Sequence, residues 1–126
     1  MKKAVYSDKV PKPIGPYSAA VIYDKLVFCS GQIPIDFITG EIVSNKIEDQ
    51  ARRALENLAV VLEAAGSSPD NALKITVYLK DMNHFGVVNG IYAEFFKGVL
   101  PARAAFEVAR LPKDALIEVE AIAYID

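Results

Sequence analysis

Between Pro101 and Ala123 the chain reads PARAAFEVARLPKDALIEVEAIA, in which Arg103 precedes one apolar stretch while Glu118 and Glu120 interrupt the next. An arginine's planar fork donates two parallel charge-assisted hydrogen bonds to a carboxylate. A glutamate within reach of a water can manage protons during hydrolysis. Each also has a plain structural reading, Arg103 as an ion-pair partner and the glutamates as a solvated strand face. Two residues apart on a strand, Glu118 and Glu120 stand about 7 Å from each other, a spacing that does not by itself support a glycosidase-like pair.

Other chemistries find little material. The only histidine, His84, falls near an expected helix start and reads as exposed, which leaves no triad for a nucleophilic serine or cysteine. No His/Asp/Glu cluster has the spacing of a hydrolytic metal site. The single cysteine, Cys29, excludes an intrachain disulfide, a cysteine metal cluster and a CxxC pair, and reads as a small buried strand residue.

The elements that must position these groups follow from periodicity. At 126 residues, 52% hydrophobic and 24% charged, the chain has the material for one compact domain spanning 1–126, with no repeat or linker to divide it. Strands are expected at Lys3–Tyr6, Ser18–Tyr23 and Leu26–Ile33, the last two joined at Asp24-Lys25 in a tight hairpin. Between the first two, VPKPIGPY makes a proline-stiffened, ordered loop.

Apolar residues at three- and four-residue steps predict a helix from about Lys46 to Ala65, with Asn45 and Glu48 as a capping box and Gly66 as its stop. ALKITVYLK alternates, placing Leu73, Ile75, Val77 and Leu79 on one face. A second helix is expected over Asn83–Lys97, burying Phe85, Val88, Ile91, Tyr92, Phe95 and Phe96. There Gly86 and Gly90 each cost roughly 1 kcal/mol against alanine and suggest close packing. In the last two strands Ile117, Val119, Ala121, Ala123 and Ile125 form the helix-packed face, while Arg103 and Glu118 are read as pointing away from it. Leu116, Glu118, Glu120, Ile122 and Tyr124 share a face too apolar to stand open.

The result is an α+β fold of order β-β-β-α-β-α-β-β, a mixed sheet with two helices on one face and the other face free for a further subunit. Fourteen basic residues against 16 acidic give a net charge of −2, which disfavours nucleic acid as a partner. The N-terminus lacks the apolar run of a signal peptide and no stretch reaches membrane-spanning length, so a cytoplasmic, soluble protein is expected.

Across nearly the whole chain, IGPYS, SGQIP, TGEI, VYLKDMN, VNGIYAEFF, PARAAFEVARLPKD and EVEAIA resemble, in order, the Rid family of reactive intermediate deaminases (YjgF type), most closely its RidA subfamily. That resemblance implies a chorismate-mutase-like subunit with a mostly antiparallel sheet, assembled as a homotrimer with small-acid sites between subunits. It implies hydrolysis of enamines and imines such as 2-aminoacrylate to 2-keto acids and ammonia, without a cofactor. Arg103 would hold the substrate carboxylate and Glu118 would orient or activate water. Tyr17 would line the cleft, Ser30 and Gly31 would lie near the ligand, and Asn89 would support the site. Where the family often has cysteine two residues after the arginine, this chain has Ala105, leaving only backbone donors at that position. A non-catalytic binder or sensor of 2-keto acids and an RNA-directed translation inhibitor are the alternative functions.

Overall fold

The computed structural model describes residues 1–126. Eight main elements follow one another as β1 (Lys3–Val5), β2 (Ala20–Tyr23), β3 (Leu26–Gln32), α1 (Ile47–Ala64), β4 (Ala72–Leu79), α2 (Phe85–Phe95), β5 (Ala102–Glu107) and β6 (Ile117–Tyr124). This is the expected α+β order. The strands form one sheet of spatial order β1-β2-β3-β6-β4-β5, antiparallel throughout except where β4 and β5 run parallel. That one parallel pair follows from the connection: α2 carries the chain back across the sheet between β4 and β5, as a crossover requires.

The core lies between the sheet and the two helices. Leu55, Leu58, Val61 and Leu62 of α1 and Val88 and Ile91 of α2 pack with Val27, Ile75, Val77, Leu79, Ile117, Val119 and Ala123. On β6 the alternation is complete, with Ile117, Val119, Ala121 and Ala123 buried and Glu118, Glu120 and Ile122 only half covered. The opposite face carries Phe28, Ile122, Tyr124, Tyr78 and Phe106, and of these Phe28 is 44% and Phe106 52% exposed. An apolar sheet face of that kind is what subunit contacts cover.

Several local readings change. β4 does not alternate from its first residue: a register shift between Ala72 and Lys74 puts Ala72 in the core and leaves Leu73 45% exposed. A bulge reverses the facing of every residue before it, and residue types alone do not reveal it. The Asn45/Glu48 capping box does not form. Burial of Ile47 starts α1 one residue later than the box requires, and Lys46 takes the cap position without a side-chain bond. Ser44 acts instead, its Oγ accepting from the Lys46 N–H at 3.0 Å and donating to Asp49 at 2.8 Å.

On α2, Gly86 and Gly90 face open space, with nothing within 4 Å of where a Cβ would be. Their spacing puts both on one side of the helix, and in this chain that side faces outward. Asp24 turns the β2–β3 hairpin at φ 56° and Gly66 stops α1 at φ 86°, both left-handed as their positions require. No helix is long and apolar enough to cross a membrane.

Candidate functional site

Two groups of the predicted site residues form, at separate places on the sheet. The first is built on an irregularity in β3. Cys29 pairs with Ala121 and Gln32 with Val119, so Ser30 and Gly31 together oppose Glu120 alone. This bulge brings Gly31 against Glu118 on the outward face of β6. A Cβ at Gly31 would stand 2.6 Å from the Glu118 Oε1 and 2.7 Å from its carboxyl carbon, so the side chain of Glu118 occupies the space that glycine leaves.

Ser30 anchors the bulge to the N-terminal loop. Its N–H donates to the Ala19 carbonyl at 2.9 Å and its hydroxyl to the Ser18 carbonyl at 2.6 Å. The hydroxyl is thereby committed to structure, and it fixes the segment that carries Tyr17. Behind the bulge, buried Asn57 of α1 donates to the carbonyls of Ile33 and Ile35 at 3.1 and 3.0 Å, holding the strand's exit to the helix. A pocket of about 180 Å³ opens here, walled by Pro11, Pro13, Tyr17, Gly31, Pro112 and Glu118. Prolines make its rim stiff, because each fixes φ in a loop without regular hydrogen bonding.

Glu118 is the titratable group of this pocket. It is half-buried, and burial first, then the nearby charge of Glu120, pushes its carboxyl above the usual glutamate range. Glu120 in turn accepts a short hydrogen bond from the Tyr78 hydroxyl. That bond, ahead of burial, pushes the phenol up to about 12, so Tyr78 stays a donor at all ordinary pH. Tyr78 faces Glu118 directly across the β4–β6 pair.

The second group centres on Arg103. In the β4–β5 register Arg103 pairs with Ile75, a fully buried residue on the helix side. The expectation that Arg103 points away from the helices is therefore overturned, whereas Glu118 does point away. Two residues apart on β5, Arg103 and Ala105 share a face, and the register with β4 sets them opposite buried Ile75 and Val77, so that Ala105 packs against the main core.

The guanidinium carbon of Arg103 lies 5.2 Å from the ring centre of Phe85 and 4.8 Å from that of Tyr92, and Nη1 donates to the Asn89 Oδ1 at 2.7 Å. Phe85 and Tyr92 were legible only as core residues of α2. Their offsets of four and three from Asn89 nevertheless place all three on one helix face, a signal for shared contact.

Arg103 and Glu118 do not meet within one chain. From the pairing, their backbones are two strands and three residues apart, about 14 Å by sheet geometry, and their side chains leave opposite faces. Cys29 is buried as expected, and burial raises its thiol to about 12. His84 is half-covered rather than exposed, with a buried Nδ1 that has no partner. Three or more His, Cys, Asp or Glu side chains do not gather anywhere at metal-binding distance.

A family model described as Endoribonuclease L-PSP matches residues 7–125. A RutC family protein of Pyrococcus horikoshii is 56% identical over 124 residues, 98% of either chain. A Yersinia pestis protein described as belonging to the conserved Rid family superposes with a TM-score of 0.96 at 43% identity, covering 99% of this chain and 100% of that one. The chain belongs to the Rid family. Other Rid relatives carry more specific descriptions. A mouse protein named 2-iminobutanoate/2-iminopropanoate deaminase is 46% identical over 98% of this chain and 91% of its own. The E. coli protein TdcF, solved with bound serine, has a TM-score of 0.93 at 41% identity over 98% of this chain and 99% of that one. The resemblance read from the motifs is thus confirmed at the level of the family, and deaminase is an activity for which members of it are named.

Proposed function

We propose that this Rid protein is a cofactor-independent enamine/imine deaminase, converting 2-imino acids such as 2-iminopropanoate and 2-iminobutanoate to 2-keto acids and ammonia. The observation that carries the reading is Glu118: a half-buried carboxylate with a raised pKa, at the wall of a small pocket, with a glycine opposite to admit it. The name of the mouse relative supports the substrate class. Serine bound to the E. coli relative supports a ligand of amino-acid size.

In this reading Arg103 pairs with the substrate carboxylate through its free N–H edge. An enamine first gains a proton at its β-carbon and becomes the protonated imine, an iminium. Water adds to the C=N carbon while Glu118 takes its proton, giving a carbinolamine. Glu118 then returns the proton to nitrogen, the C–N bond breaks, and the hydroxyl proton passes back to Glu118 and on to the departing ammonia as the carbonyl forms. Tyr17 borders the ligand, the Gly31 backbone lies beside the carboxylate of Glu118, and Asn89 holds Arg103.

Because Arg103 and Glu118 leave opposite faces of one sheet, a complete site takes Arg103, Asn89 and Ala105 from one subunit and Tyr17, Ser30, Gly31 and Glu118 from the next. A homotrimer closed through the apolar sheet face supplies three such sites.

The test is a coupled assay in which a pyridoxal-phosphate dehydratase generates 2-aminoacrylate. Adding the protein should accelerate pyruvate formation, and Arg103→Ala should remove the acceleration. An undiminished rate from a folded, assembled Arg103→Ala protein would rule the assignment out, and tight keto-acid binding without turnover would make the protein a binder.

A further inference from the structure

The chain has four ion pairs, and none of them involves Arg103. An arginine that serves structure usually finds a carboxylate. Here the guanidinium is held by three neutral groups instead: the ring of Phe85, the ring of Tyr92 and the amide oxygen of Asn89. All three come from one face of α2, at positions 85, 89 and 92. The rings fix the guanidinium against the helix, and the amide bond at 2.7 Å fixes its rotation in that position. None of the three cancels its charge. The result is an oriented cation with unspent positive charge and donors to spare.

We propose that Phe85 and Tyr92 are positioning residues which, together with Asn89, hold Arg103 as a preformed carboxylate receptor on the face of α2. This deepens the deaminase reading and rests on the carboxylate-binding role given there to Arg103. The advantage is entropic, since a long arginine side chain on an edge strand would otherwise have to be ordered by each incoming substrate. Tyr92 acts through its ring rather than its hydroxyl, which is buried and has no hydrogen-bond partner. The two rings differ in burial as well: Tyr92 is 8% exposed and forms the floor, packed on Phe96 at 4.5 Å between ring centres, while half-buried Phe85 forms the side.

Removing a ring should loosen the receptor without touching the proton chemistry at Glu118. In the intact, assembled protein, Tyr92→Leu and Phe85→Leu should each raise KM for the imine about tenfold, the size of one partly desolvated cation–π contact, while kcat stays within about twofold. Tyr92→Phe, which keeps the ring, should restore the wild-type KM.

Side-chain NMR of Arg103 provides a readout that does not depend on turnover. Its Hε and Hδ resonances should show ring-current shifts in the wild type that diminish in both leucine variants and persist in Tyr92→Phe, with melting curves confirming that the variants are folded. Unshifted Arg103 resonances in the wild type, an unchanged KM in folded leucine variants, or an equal fall in kcat and kcat/KM would each overturn the proposal. Should Arg103→Ala deaminate at the wild-type rate, the functional reading fails, and the ring-current measurement still decides whether the arginine is held.

Discussion

Glu118 gives up its proton later than an ordinary glutamate, for two separable reasons, burial and the charge of Glu120. Between the ordinary value and the raised one, the folded protein keeps a proton that the unfolded chain has lost. Stability therefore falls as pH rises through that window; the cost is absent below the ordinary glutamate value and complete above the raised one. For catalysis the sign is the same at the residue: the basic form exists only above the raised pKa, so the acid limb of kcat/KM should lie above the usual carboxylate range. Glu120→Gln removes the second cause and leaves the first. Its acid limb should move to lower pH with the plateau retained, as a pH–rate series would show, and an unmoved limb would mean that burial alone sets the pKa. Sequence pattern made Glu118 legible as an odd carboxylate on a half-apolar face. It could not show that Tyr78, 42 residues before Glu120, ties up that carboxylate, because the contact depends on strand register.

At the scale of elements, what was legible was what repeats. The period of α1 and the alternation of β6 are enforced by burial along their whole length, so pattern and structure agree. The bulges in β3 and β4 interrupt a repeat and carry no strong residue signature. Yet the β3 bulge is what sets Gly31 beside Glu118. Gly31→Ala tests this element. Its Cβ would clash with the flexible end of Glu118 rather than with backbone, so the fold should yield cheaply and the carboxylate should swing away. Turnover should drop by about a hundredfold, the scale of an ångström-sized misplacement, with little change in the thermal midpoint. A large loss of stability with normal turnover would contradict the argument. The facing of β5 was the other element misread. Arg103 lies on the helix side because the β4–β5 register sets it opposite buried Ile75, and that register depends on topology, which local pattern does not encode.

For the whole molecule, the placement of Arg103 and Glu118 on opposite faces makes assembly part of the proposed chemistry. Arg103→Ala and Glu118→Gln should each be inactive alone. Unfolded and refolded together in equal amounts, they should regain activity, because in a closed ring of three each mixed trimer contains one junction with both native groups. Random mixing then leaves about a quarter of all sites intact. Recovery near that fraction, in coupled assay against wild type, supports sites shared between neighbours; no recovery in mixed trimers shown by mass spectrometry would refute it. Family membership was readable from motifs spread along the chain, and the resemblance implied sites between subunits; the proposed allotment of residues to neighbours was not readable, since a linear pattern does not say which copy of a residue will meet another. The opposed faces have one more consequence. If the proposed sharing holds, a chain alone carries two half-sites and no whole one, so dilution below the assembly threshold should silence the protein without any change to its own residues.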